Sequence, residues 1–184
     1  MADSWEVDPA HSTIEFSVKH MMFTTVRGRF KSFKGTIKAD EKSPDRSSVT
    51  VEIDASSIDT GAGDRDAHLK SADFLDVATH PTITFRSKRV AGAASKEGDR
   101  FKLTGDLTIR GKTMEITLDC TYQGRGKDPW GKERAGASAT GEIDRRQWGL
   151  QWNQALETGG VLVGNAVKFE LDVQAVHGAA TAVA

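Results

Sequence analysis

Apolar and polar residues alternate along much of this chain with a period of two. Phe101, Leu103, Gly105, Leu107 and Ile109 take one face of a run, and Lys102, Thr104, Asp106, Thr108 and Arg110 take the other. Side chains on a β-strand alternate faces, so each such run predicts a strand with one buried and one wet side. The pattern recurs at Thr13–His20, with Ile14, Phe16, Val18 and His20 inward, at Val49–Ala55 with Val51 and Ile53, and around Ile83, Phe85 and Ser87. It returns at Thr113–Tyr122 with Ile116 and Leu118, at Ala135–Arg145 ending on Ile143 and Arg145, and at Val167–Val173 around Phe169. Between Val26 and Ile37 the phase slips: Val26, Gly28 and Phe30 give way to Phe33, Gly35 and Ile37. Within one strand that slip predicts a β-bulge.

The breaks are equally readable. Met21–Thr25 predicts a short turn, Gly111 a tight hairpin, and Ala91–Asp99 and Gly124–Arg134 loops. Asp64–Ser71 is the one helical stretch; its charge and lone Leu69 predict a short rim helix, with Asp64 as N-cap. With a short run near Trp5–Val7, the strands number about the eight of a small ligand-holding barrel. The expected fold is therefore all-β: an eight-stranded antiparallel barrel with a short helical cap, one domain over residues 1–177 and a flexible alanine-rich tail over 178–184.

Composition narrows the function classes. A length of 184 residues suits one barrel, and 38% hydrophobic residues suit strands with a wet face. A net charge of −1 offers no field for phosphates, so no nucleic acid partner is expected. Cys120 is the sole cysteine, which excludes an intrachain disulfide. The five histidines lack HxH or HExxH spacing, and no G-x-S-x-G, phosphate-loop or dinucleotide motif occurs, so neither metal nor cofactor is expected. The start of the chain lacks a signal-peptide pattern, and no run approaches the roughly 18 apolar residues of a spanning helix. A cytoplasmic chain with no integral membrane segment is the corresponding expectation.

Three features bear on chemistry. Aromatic residues share the inward face with Gly105, Gly141, Ala137 and Ala139, which fill little space. A barrel lined this way stays hollow and takes a lipid, unless the small residues mark close strand packing in a filled core. Arg65 and His68 lie three apart on the helix and are placed to meet an anionic head group; local charge pairing is the plainer reading. His20 and Arg145 are polar residues that alternation sends inward at strand ends, either to grip a ligand's polar end or as solvated rim residues.

Several motifs also resemble one family in order and spacing. Trp5-Glu6-Val7-Asp8-Pro9-Ala10-His11-Ser12 is followed by Phe16-Ser17-Val18-Lys19-His20 and Arg27-Gly28-Arg29-Phe30. Then come Ser57-Ile58-Asp59-Thr60, Arg65-Asp66-Ala67-His68-Leu69-Lys70-Ser71 with Asp73-Phe74, Pro81, Phe85-Arg86-Ser87, the run from Leu103 to Gly111, and Asp128-Pro129-Trp130-Gly131. From about Trp5 to Val176 the chain resembles the YceI-like family. The resemblance implies a lipocalin-like barrel that binds polyisoprenoids or similar long apolar molecules in an elongated lumen. It further implies a carrier or sequestering role, often as a homodimer, and no established catalytic residues; many relatives are periplasmic or secreted.

The expected ligand-binding residues are Phe16, Val18, Phe30, Val51, Ile53, Phe85, Leu103, Leu107, Ile116, Leu118, Ile143 and Phe169 for the tail. His20, Arg65, His68 and Arg145 are the candidates for the polar end. Two rival readings are an enzyme acting on a prenyl or quinone-type lipid with His20 or His68 as general base, and a filled scaffold whose loops bind a partner. Neither histidine has a carboxylate orienter that the sequence identifies.

Overall fold

The computed structural model describes residues 2–92 and 94–178. The alternating runs form antiparallel strands β1 (Asp3–Val7), β2 (Thr13–His20), β3 (Thr24–Phe30), β4 (Phe33–Ala39), β5 (Ser48–Asp54), β6 (Ile58–Asp59), β7 (Thr82–Gly92), β8 (Arg100–Ile109), β9 (Lys112–Lys127), β10 (Glu133–Asp144) and β11 (Val163–His177). One helix, α1 (Gly63–Lys70), lies between β6 and β7. Of the expected tail, only Gly178 falls within the described residues, and its N–H donates to the Ser4 carbonyl.

Eight strands close the ring. β1, β4, β5, β7, β8, β9, β10 and β11 pair in that order, and β1 pairs back onto β11. β11 has 15 residues, about 50 Å of strand, and so carries two partners along one edge. Its lower end pairs with β1 (Trp5 opposite His177), and its upper part pairs with β2 (Phe16 opposite Phe169). β3 and the two-residue β6 extend the wall beyond β2. The upper end of the barrel is the end where β2 stops at His20.

Some expectations are corrected by this topology. The phase slip between Phe30 and Phe33 is a corner, not a bulge: β3 pairs with β2 and β6, whereas β4 pairs with β1 and β5. Lys31 and Ser32 bridge the two ladders through bonds to the Ser57 carbonyl and the Asp54 N–H. Actual register shifts fall at Ser87/Arg89, Gly136/Ala137 and Val163/Val167. Most of the expected 124–134 loop is strand, because β9 continues to Lys127 and β10 begins at Glu133. Ala62, not Asp64, is the N-cap of α1. Asp66 reaches back to accept from the Thr60 N–H and hydroxyl, and these bonds tie the helix to its approach.

The upper end carries an apolar plug. Ala55, Ile58, Phe74, Leu75, Ile83, Ile109, Trp148 and Leu150 pack together there. Trp148 is 1% exposed, and its indole N–H donates to the Leu107 carbonyl, so its one polar atom is satisfied on burial. A second cluster, Phe85, Leu103, Leu118 and Cys120, lines the wall below it. Between them the barrel is not filled.

Candidate functional site

The interior holds a cavity of about 790 Å³ that runs most of the barrel's length. Its lining extends from Val163 near the upper end of β11 to Ala175 near the lower end, twelve residues or about 40 Å along the strand. Phe16, Val18, Phe30, Val51, Ile53, Leu107, Ile116, Ile143 and Phe169 all line it and are only half-buried. Their side chains face inward from the ring and from the β2–β3 extension of its wall, so the surface they expose faces the lumen and not the outside. Phe85, Leu103 and Leu118 line it too, but are buried. All twelve tail-contacting candidates therefore sit in one apolar surface.

Glycine and alanine play different parts in that surface. A Cβ on Gly28 would stand 2.4 Å from the Phe16 ring, one on Gly105 2.7 Å from the Phe85 ring, and one on Gly141 2.5 Å from the Phe169 ring. Each glycine is thus covered by a phenylalanine lying across it, the arrangement by which sheets fill the gap of a missing side chain. The inward glycines consequently report close packing. Ala137 and Ala139 instead line open space.

The polar candidates gather at the upper end. Arg65 and His68 project from α1, and His20 from the end of β2, all onto the cavity lining. Arg65 donates through Nε to the Thr60 hydroxyl (2.7 Å) and through Nη2 to the Thr60 carbonyl (2.8 Å), leaving Nη1 free among the described residues. His68 Nε2 lies 2.8 Å from Asp73 Oδ2, and its ring meets Phe74 and Trp152 edge-on at centroid distances of 5.0 and 4.6 Å. The carboxylate orienter that sequence reasoning could not name for His68 is therefore Asp73. His20 is half-buried, and its imidazole makes no hydrogen bond among the described residues.

Arg145 proves to be a brace. It is 4% exposed and begins a 3-10 turn (Arg145–Trp148) instead of ending β10. Its guanidinium donates to the carbonyls of Leu150 (2.6 Å), Trp152 (2.9 Å), Gly164 (2.9 Å) and Val163 (3.4 Å). Burial lowers its pKa, opposed by the neighbouring Asp144 carboxylate. Two of these carbonyls belong to the upper loop (149–162) and two to the start of β11, so the guanidinium ties the loop to the barrel and spends on it the donors a ligand would need. The solvated-rim reading of Arg145 is corrected by its burial.

Sequence reasoning missed Trp152 and Phe74, which flank His68, and Trp5 and Leu171 farther down the lumen. Trp152 and Phe74 both come from segments with no periodic pattern; Asp73-Phe74 belongs to the family-like run around α1, but its place beside His68, like that of Trp152, shows only in three dimensions. At the lower mouth Arg125 donates to the Glu41 carboxylate across the opening, with both side chains more than half exposed. Such an exposed pair holds weakly. Burial pushes the Cys120 thiol, also on the lumen wall, up to about 11. Among the described residues no cluster of His, Cys, Asp or Glu is arranged to hold a metal ion, and no helix is long and apolar enough to cross a membrane.

A closed antiparallel ring around an apolar lumen, with polar groups at its two mouths, is a lipocalin-like barrel. Comparison with known proteins is specific about which one. The YceI-like domain family matches residues 5–175, and the chain belongs to that family. Protein YceI of Salmonella newport is 41% identical over 140 residues, covering 76% of this chain and 71% of that protein. Among solved structures, BcnA of Burkholderia cenocepacia superposes with a TM-score of 0.78 at 25% identity, covering 91% of this chain and 98% of that one. A polyisoprenoid binding domain from Saccharophagus degradans, implicated in plant cell wall breakdown, shares the fold (TM-score 0.72, 14% identity, 95% and 98% covered).

Proposed function

We propose that this protein is a non-enzymatic carrier that holds a long isoprenoid or similar lipid chain in its lumen. The observation that carries this reading is the 790 Å³ cavity whose apolar lining is left half-bare inside a closed ring. That volume falls within the range of small-molecule sites, about 300–1,000 Å³. The polyisoprenoid-binding neighbour of the same fold and the family membership support the ligand class.

Magnitudes favour long chains. Each buried CH₂ contributes about 0.8 kcal/mol, so ten carbons supply about 8 kcal/mol and twenty about 16. Association costs about 4–15 kcal/mol in lost freedom, which the shorter chain barely offsets. Arg65, His68 and His20 then receive the polar end, and the tail runs down past Leu107 and Phe169. Titration of tryptophan fluorescence with geranylgeraniol and geraniol tests this, since Trp5 and Trp152 line the cavity. Saturable one-to-one binding of the longer alcohol, at least a hundredfold tighter than the shorter, is expected; no saturable binding of either overturns it.

The His68–Asp73 pair gives one specific reason to test the enzymatic alternative, because a carboxylate-held imidazole is the usual form of a general base. Turnover of a bound quinone-type lipid that disappears in His68→Asn, with binding retained, would replace the carrier reading.

A further inference from the structure

We infer that the β2–β3 hairpin tip, Met21-Met22-Phe23, docks the barrel's upper mouth onto an anionic lipid surface, so that the lumen loads and empties at a bilayer; this partner rests on the lumen being a lipid site. Among the described residues the exposed large apolar side chains are this tip with the nearby Val161, which form a cluster, and Trp130, which stands alone on the β9–β10 turn. Met21 is 39% exposed, Met22 61% and Phe23 74%, and Val161 on the neighbouring loop is 36% exposed. These residues stand beside the upper cavity lining contributed by His20, Leu162 and Val163. Water-facing apolar side chains cost free energy unless something covers them, and contiguous ones mark an interaction site.

The backbone holds them there. Met21 and Met22 both adopt positive φ, 50° and 69°, a turn that asparagine and glycine accommodate with less strain. The turn is steadied by the Met21 N–H donating to the Leu162 carbonyl and by the Met22 thioether lying against Gly160. A strained tight turn built from methionine, followed by phenylalanine, presents apolar bulk where ordinary turn chemistry would present polar atoms.

Charge selects the partner. From Ser17 to Ala39 the chain carries Lys19, Arg27, Arg29, Lys31, Lys34 and Lys38 and no acidic residue, although the whole protein is nearly neutral. Arg29 and Lys31 share the single carboxylate of Asp59 and Lys34 pairs with Glu52, whereas Lys19 and Arg27 have no ion-pair partner among the described residues. Both are exposed on the hairpin's outer face, just behind the tip. An apolar point with basic residues behind it suits the boundary of a bilayer containing anionic lipids. A second copy of the chain is the poorer occupant, since a two-fold interface on this tip would bring the basic stems of both hairpins together.

The test is flotation of the full chain with phosphatidylcholine vesicles containing one quarter phosphatidylglycerol, alongside geranylgeraniol titration in vesicle-free solution. The wild type is expected to float, and Met22→Ser/Phe23→Ser to float at least tenfold less, with geranylgeraniol affinity unchanged. Lys19→Glu/Arg27→Glu should lose preference for the anionic vesicles over pure phosphatidylcholine. Failure of the wild type to float, or equal flotation of the Met22→Ser/Phe23→Ser variant, overturns docking, as does a concentration-dependent dimer that this variant abolishes in the absence of vesicle binding. Flotation that depends on the tip in a protein that ignores geranylgeraniol would instead overturn the lumen reading and leave a bilayer-docking tip.

Discussion

Phe169 on β11 lies directly opposite Gly141 on β10 and covers it so closely that a Cβ at 141 would stand 2.5 Å from the ring. Phe169 also lines the cavity, so the absence of a side chain at 141 sets how far the ring projects into it. Gly141→Val should drive the ring into the lumen, lowering geranylgeraniol affinity and costing about 1–3 kcal/mol of stability by overpacking. Urea unfolding of the variant beside the wild type, with the same lipid titration, measures both effects.

Arg145 should behave as a structural residue. Its removal leaves the buried Leu150 carbonyl and the part-buried Trp152 and Gly164 carbonyls without their donor. Each buried polar group deprived of its partner costs about 1–3 kcal/mol. Arg145→Met is expected to lose at least about 3 kcal/mol in urea unfolding and to loosen the 149–162 loop first, read as faster amide exchange at Trp152 and Leu162 than in the barrel strands.

Acid stability should run through Arg134. This residue bonds to Asp8 (2.7 Å), Asp128 (2.8 Å) and Gln174 (2.8 Å), joining the segment after β1, the β9–β10 turn and β11. The guanidinium hydrogen bonds hold the Asp8 and Asp128 carboxyls below the usual carboxylate range. A carboxyl depressed in the folded state stabilises the protein above its unfolded value of about 4, and the contribution is lost as pH falls through the folded value. The stability difference between wild type and Arg134→Met should therefore be full near pH 6 and shrink below about pH 4, followed by urea midpoints across that range.

Cys120 should be a slow thiol. With its pKa raised to about 11 by burial, its thiolate fraction at pH 8 is roughly a hundredfold below that of a free cysteine. Iodoacetamide labelling of the native protein should be slower than labelling in urea by at least that factor.

The barrel was legible in the sequence because its signal is local. Period-two alternation needs only neighbouring residues, and it placed Leu103, Leu107, Ile116 and Phe169 on the inner face where the structure has them. The corner at Lys31–Ser32 looks like a bulge in the sequence, since alternation records a phase slip without saying which strands lie beside it. Arg145 looks like a strand end in the sequence for a related reason: one-dimensional periodicity cannot see that the 149–162 loop folds back to offer two carbonyls beside the two that the start of β11 supplies. The same blindness hid Trp152 and Asp73 around His68. The inward glycines were ambiguous because an empty position and a ring-covered one are written with the same letter, and only cross-strand register distinguishes them.

The central claim is that the lumen is a site for a long apolar chain, and native mass spectrometry of wild type and Leu107→Trp with geranylgeraniol tests it most directly. Leu107 faces the cavity near the upper end of β8, between the polar candidates and the rest of the lumen, so an indole there should fill the space the tail needs. One bound alcohol per wild-type chain, absent from a folded Leu107→Trp variant, is the result expected. A wild type that takes up no prenyl alcohol, or a variant that binds it as tightly as the wild type, would contradict the account.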